Sequence, residues 1–196
     1  MLVKEFWFDK RIAFVTAMLI LYMLTAAFTP YTSWTWAAAG SGIVLFFFIE
    51  YLVHRFALHG IFSKIMPKAY REHDIHHKDP KNIRYMLTPN AYNVPYHLGL
   101  GIAFAALFQN IHMASSIMAG FGAYQLFYEW MHYVSHRPIT PRTPWGKWMK
   151  QFHMLHHYKN AEGYYGVTHP ALDIAFGTTS MPHQIQQLNQ KNESSR

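Results

Sequence analysis

The stretch Ile12–Ile49, IAFVTAMLILYMLTAAFTPYTSWTWAAAGSGIVLFFFI, contains no Asp, Glu, Lys or Arg, and a second stretch without them runs from Tyr85 to Tyr128. The hydrocarbon core of a bilayer takes about 20 residues of helix. Each stretch is too long for one crossing, so each predicts two crossings joined by a tight uncharged turn. The turns fall at Thr29-Pro30-Tyr31-Thr32-Ser33 and around Gln109-Asn110-Ile111-His112. Four transmembrane helices follow, at about 12–29, 35–58, 93–110 and 113–136.

All 17 Lys and Arg residues lie outside those stretches: in the amino-terminal segment, at the end of the second helix, between 60 and 84, or from Arg137 onward. By the positive-inside rule these parts are cytoplasmic, and so are both termini. The expected fold is an all-α integral membrane protein in one membrane domain, residues 1–196. A cytoplasmic helical cap is made of 59–92 and 137–185, and 186–196 form a tail. Met1 to Arg11 carries both signs of charge and precedes a full-length span without a small-residue cleavage site, so it reads as an uncleaved anchor.

Composition agrees: 51% of residues are hydrophobic, 17% aromatic and 14% charged, against about 25% charged in soluble domains. The net charge of +7 does not point to nucleic acid. Its cations flank the spans, and Trp145 and Trp148 sit among them as at a headgroup boundary. The chain has no cysteine, which excludes disulfides, thiolate metal sites and cysteine nucleophiles. A length of 196 residues leaves room for one catalytic unit and no appended electron-transfer module.

Histidine supplies the chemistry. Ten of the 14 histidines form four groups: His54 and His59 in HRFALH, His73, His76 and His77 in HDIHH, His132 and His136 in HYVSH, and His153, His156 and His157 in HMLHH. Residues three and four apart share a helix face, so each H-x-x-H-H group aims three imidazoles into one arc and His132 stacks a turn from His136. Neighbouring helices can then bring nitrogens to a metal at about 2.0–2.1 Å. His54 and His59 differ, because a spacing of five turns the second ring roughly 140° from the first on a regular helix. A helix end near Ala57, with Gly60 as left-handed terminator, is the preferred remedy; a π-bulge is the other. Isolated histidines near a membrane end are more often hydrogen-bonded than ligating, so His97, His112 and His183 are set aside.

The chain also repeats. Ile49-Glu50-Tyr51 precedes His54 as Tyr128-Glu129-Trp130 precedes His132, and the glutamate stands 27 residues before the last histidine in one half (50 to 77) and 28 in the other (129 to 157). Five histidines per half suit two metal ions. Glu50 and Glu129 lie four and three residues before their histidines, placed to accept the rings' second N–H and orient them.

At these residues the sequence resembles the fatty acid hydroxylase/sterol desaturase superfamily, over about Ile49 to Thr179. Within it, EYLVHRFALH, HDIHH, the HYVSH spacing and HMLHHYKNAEGYYGVTHPALDIAFGT are closest to the sphingolipid-type fatty acid 2-hydroxylases. The resemblance implies metal binding by all ten histidines, and a segment, Gly163 to Thr168, folded beside the metals. Tyr164, Tyr165, Thr168 and His169 are its candidate lid or substrate contacts. It implies two iron ions, which zinc can replace in a purified sample, with dioxygen and an external electron donor such as cytochrome b5, or ferredoxin with its reductase. The implied reaction is hydroxylation of a lipid acyl chain, at its second carbon in the closest relatives. Oxygen insertion at an unactivated C–H bond needs a redox metal, which zinc is not, and no side-chain acid or base beyond the ligands need lead. Hydroxylation or desaturation of a sterol or carotenoid is the alternative within the superfamily. A membrane metal transporter is the alternative outside it, and the two uncharged stretches speak against an ionic pathway.

Overall fold

The computed structural model describes residues 2–179. Among them are helices α1 (Leu2–Trp7), α2 (Lys10–Ala27), α3 (Thr35–Leu52), α4 (Pro67–Lys78), α5 (Ile83–Met86), α6 (Asn90–Phe108), α7 (Ile111–His136), α8 (Pro144–Tyr158) and α9 (Ala171–Ala175), and no strand. Local signals set their ends. Asp9 caps α2 by accepting from the Arg11 amide at 2.9 Å, so α2 begins and ends two residues before the expected 12–29. Gln109 closes α6 with a left-handed φ of 48°, and Asn110 caps α7 by accepting from the Met113 amide at 3.1 Å. Thr143 caps α8 with Pro144 in the first turn.

The four expected long helices are present as α2, α3, α6 and α7. Two of them, Lys10–Ala27 and α3 with its extension to Leu58, are long and apolar enough to cross a membrane. α6 and α7 are more polar because Asn93, His97, Ser115, Ser116 and Gln125 are turned inward and buried. α7 is the axis of the molecule, packed by α2, α3 and α6 along its length and by α8 at its end. It meets α3 closely: a Cβ on Gly42 would collide with the Ile117 carbonyl, and one on Gly120 with that of Ala39. Such small residues let the two backbones approach to van der Waals contact. Ile20, Leu21, Ile43, Val44, Ile102 and Leu107 are left outward and exposed.

Two histidines set aside from the site serve this packing. His97 lies at full burial, stacked on Tyr22 and bonded to Gln125 Oε1 at 3.0 Å. His112 ties α7 to the α2–α3 turn through the hydroxyls of Thr29 (2.9 Å) and Thr35 (2.7 Å). His183 lies outside the described residues.

The end of α3 differs from the preferred expectation. The helix does not stop near Ala57 but passes into a π-helical turn, Val53–Leu58, and Gly60 has φ −120°, not left-handed. A wider turn puts residues five apart on one face, which aligns His54 with His59. At the other end of the site, Lys150 Nζ donates to the carbonyls of Val134, Arg137 and Ile139 at 2.7 to 3.0 Å. This fastens α8 across the last turn of α7.

Candidate metal centre

The ten box histidines converge in two groups. One comprises His54, His59, His73, His77 and His156; the other comprises His76, His132, His136, His153 and His157, and within each group the candidate ligand atoms lie within 4.8 Å of one another. In the first, His73 Nε2 is 2.8 Å from that of His59, 3.1 Å from that of His77 and 3.2 Å from that of His54. In the second, His136 Nε2 is 2.9 Å from that of His153 and 3.2 Å from those of His76 and His132. Two nitrogens bound at 2.0–2.1 Å to one ion lie about 2.9 Å apart at right angles and about 3.4 Å apart at the tetrahedral angle. The spacings are those of nitrogens sharing a cation.

The two groups do not follow the two halves of the chain. Each half gives four histidines to its own group and the middle histidine of its H-x-x-H-H box to the other: His76 crosses one way and His156 the other. The groups touch where the last histidines of the boxes, His77 and His157, stack at 4.1 Å with 15° between their planes.

Burial keeps these rings neutral. It holds His73, His76, His153, His156 and His157 well below the ordinary imidazole value, and His77 at about 4, with Asp74 pulling His77 partly back up. Neutral imidazole is the form that binds a metal. His157 is the sharpest test of fit: its Nε2 is buried with no hydrogen-bond partner, an uncompensated cost that a cation would remove.

Glu50 and Glu129 do not orient the rings by accepting from them. Glu50 Oε1 accepts from the amides of Val167 and Thr168, both at 2.9 Å, and its Oε2 from the Thr168 hydroxyl at 2.7 Å. Glu129 accepts from the Thr88 amide at 3.3 Å. Each glutamate thus straps down the segment that follows the other half's box. Thr88 stands 11 residues after His77, and Thr168 stands 11 after His157. Two rings of the first group are aimed by backbone instead. His54 Nδ1 is 2.6 Å from the Tyr165 carbonyl and His156 Nδ1 is 2.7 Å from that of Gly163. Between those carbonyls Tyr164 has a left-handed φ of 58°, a conformation costing a non-glycine residue about 1–2 kcal/mol. Strain of this kind persists where surroundings over-determine it.

Of the four candidate lid residues, three build this strap. Tyr164 packs edge-on against Phe152, Tyr165 supplies the carbonyl to His54, and Thr168 bonds Glu50 and Tyr124. His169 is exposed, lies against Trp145 and Phe47, and is in neither histidine group. Sequence reasoning missed Asp173, whose carboxylate takes the amides of Tyr165 and Gly166 at 2.8 and 2.7 Å and the Thr178 hydroxyl at 2.6 Å. It also missed residues 84–89, which form one wall of the cavity between the histidine groups and α6. The repeat itself carried a signal for that wall, in Thr88-Pro89 and Thr168-His169-Pro170.

A cavity between α3, α4, α6 and α7 reaches both groups, ending on His54 and His73 of the first and His132 of the second. Its walls are mainly apolar and aromatic, among them Phe46, Val53, Leu58, Met86, Leu87 and Tyr128.

The fatty acid hydroxylase family model matches residues 39–178, which contain every residue of both groups. The chain belongs to the fatty acid hydroxylase family. Two relatives in it are the dihydroceramide fatty acyl 2-hydroxylases FAH1 and FAH2 of Arabidopsis thaliana, 31% and 28% identical over 148 and 151 residues. Both matches cover 70% of this chain and 58% of the relative. The ceramide very long chain fatty acid hydroxylase SCS7 of Saccharomyces cerevisiae is 28% identical over 145 residues, covering 70% of this chain and 36% of its own length. The chain thus spans well under two thirds of these relatives. The fold is also that of the solved full-length Scs7p, in which only the hydroxylase domain is visible, with a TM-score of 0.74 at 23% identity over 88% of this chain and 66% of that one.

Proposed function

We propose that this member of the fatty acid hydroxylase family is a dioxygen-dependent lipid hydroxylase that places one hydroxyl on a fatty acyl chain, at the second carbon. The ten histidines hold two iron ions, five to each, and an external donor supplies electrons. The observation that carries this reading is the cavity: it is walled for an acyl chain and ends on histidines of both groups.

Bound iron supplies the activation of dioxygen that an unactivated C–H bond requires. The chain's own residues do the rest. His54 and His156 are held by the Tyr165 and Gly163 carbonyls, which fixes the ring tautomer and leaves Nε2 for the metal. Phe46, Val53, Leu58 and Met86 exclude water from the acyl chain. α2, α3, α6 and α7 cross the membrane, and the histidine groups, α4 and α8 lie at its cytoplasmic face with both termini, as the placement of Lys and Arg favours.

The test is turnover by iron-loaded protein in lipid nanodiscs with a reductant and isotopically labelled dioxygen, read by mass spectrometry of the lipids. An acyl product heavier by one labelled oxygen is expected. A product lighter by two hydrogens would replace hydroxylation with desaturation, and an unchanged lipid pool with iron bound would overturn the reading.

A further inference from the structure

Four of the second group's five histidines are buried, and only His157 comes partly to the surface. Both its nitrogens point inward, so what it shows to solvent is a ring edge. His77 of the first group is also half-buried, and the two rings stack at 4.1 Å. The next residue of α8, Tyr158, carries the row outward: its ring lies 6.2 Å from that of His157 and is 68% exposed. Three neighbouring rings thus lead from solvent to one ligand of each group. The cavity does not use them, since it ends on His54, His73 and His132.

The surface around Tyr158 is basic. Lys147, Gln151, Met154 and Tyr158 recur every three or four residues along α8, which puts them on one face. An open cleft lined by Pro141, Lys147, Gln151 and Met154 continues that face. From Arg137 to Glu162 the chain carries five Lys or Arg and a single acid, Glu162. Arg137 is paired with Glu5 and Lys150 is bound to carbonyls, while Arg142, Lys147 and Lys159 are exposed. Across the stack, Lys78 and Asp74 pair at 2.6 Å, and Asp79 accepts from Asn82. The opposite face of α8 holds Trp145 and Trp148, and Trp145 reaches Phe47 of α3 through His169. The basic face is therefore turned away from the long helices.

Resting on the diiron reading above, we infer that this face docks an acidic one-electron carrier protein and that Tyr158, His157 and His77 conduct its electrons to the two ions. In each encounter one electron leaves the carrier and reduces one ferric ion to ferrous; no bond forms or breaks. His157 delivers to the second group, and the stack onto His77 delivers to the first. Two encounters reduce both ions by a route that keeps the carrier off the lipid cavity. Electron-transfer encounters bury less surface than stable complexes, so one helix face with its cleft is large enough. Opposite charge raises the rate of such encounters by about 10- to 1,000-fold.

The test uses the full chain in phosphatidylcholine nanodiscs, with a plant-type ferredoxin as the acidic carrier. Stopped-flow absorbance without oxygen follows oxidation of the ferredoxin by the diferric protein, and zinc-loaded protein reports binding alone. Photoreduced deazariboflavin, small and uncharged, serves as a reductant that needs no docking face. Ferredoxin is expected to bind the zinc form where a basic c-type cytochrome does not, and its second-order rate should fall as salt rises. Lys147→Glu combined with Lys159→Glu should lower that rate about tenfold or more and flatten its salt dependence. Metal content, the deazariboflavin rate and the saturating ferredoxin rate should hold. Tyr158→Leu should instead keep the affinity and lower the saturating rate severalfold, and Tyr158→Phe should restore it. An unchanged ferredoxin rate in the metal-replete double variant overturns the docking face, as does equal slowing with deazariboflavin. An unchanged saturating rate in Tyr158→Leu overturns the route. Failure of the hydroxylase reading looks different: ferredoxin then reduces both ions by this route while lipids supplied with dioxygen stay unmodified.

Discussion

Replacing Glu50 with alanine should unfasten the strap over the first histidine group. Its carboxylate accepts three hydrogen bonds, at 2.7, 2.9 and 2.9 Å. A hydrogen bond contributes about 0.5–3 kcal/mol, the upper end with a charged partner, and each buried amide left unpaired costs about 1–3 kcal/mol. Because these terms overlap at Val167 and Thr168, the local loss is about 3–6 kcal/mol, which is about two to four decades in an opening equilibrium. Hydrogen exchange at the Val167 and Thr168 amides should accelerate by that factor, relative to amides in the middle of α7. The carbonyls of Gly163 and Tyr165 lie on the same strap and aim His156 and His54, both of the first group. Metal affinity there should fall about 10–100-fold, as for other lost supports of ligating histidines. Elemental analysis across a chelator titration then gives two steps in Glu50→Ala, with the weaker ion lost first. Adding His136→Ala removes the second group and should leave only the weak ion. Native exchange rates at both amides, or retention of the tight ion when His136 is removed, would refute the argument.

Three further outcomes follow from the geometry. His76→Ala should weaken metal at the second group and His156→Ala at the first, although each lies in the opposite half of the chain; single-site titrations paired with His136→Ala or His59→Ala read this directly. His112→Ala should keep both ions and lose about 1–2 kcal/mol from two hydroxyl contacts, measured as denaturant midpoint with metal content. Apo-protein should be destabilised by acid: burial lowers His77 to about 4 in the folded chain, so unfolding takes up a proton. The stability it contributes is complete above about pH 6.5 and drains away as pH falls toward 4. An apo melting temperature flat across that window would contradict it.

Much of this was legible in the sequence because its signals are local. Uncharged length marks long helices, and a spacing of three or four fixes which imidazoles share a face. The ten histidines therefore come together as their boxes suggest. What was not legible depends on contacts between distant segments. The π-helical turn at Val53–Leu58 was one of two remedies for a spacing of five, and spacing alone does not choose between them. Glu50 and Glu129 sit within reach of their own histidines along the helix, yet peptide amides 117 and 41 residues away take them instead. Backbone amides in a buried strap need an acceptor, and only the tertiary fold shows which amides arrive. His169 read as part of the lid because it adjoins Thr168, but the strap turns it outward to Trp145.

The exchange of His76 and His156 between the groups has a consequence for biosynthesis. A nascent chain that has emerged as far as His77 carries four of the first group's five imidazoles, and the fifth, whose Nε2 rests 3.1 Å from that of His77, comes 79 residues later. The second group in turn waits for its first-half member to be met by helices α7 and α8. Neither five-nitrogen set can be completed from one half, so a two-ion centre of the kind proposed would be fully metallated only after the two halves have assembled, and a ribosome-stalled first half should emerge from an iron-replete cell without a complete centre.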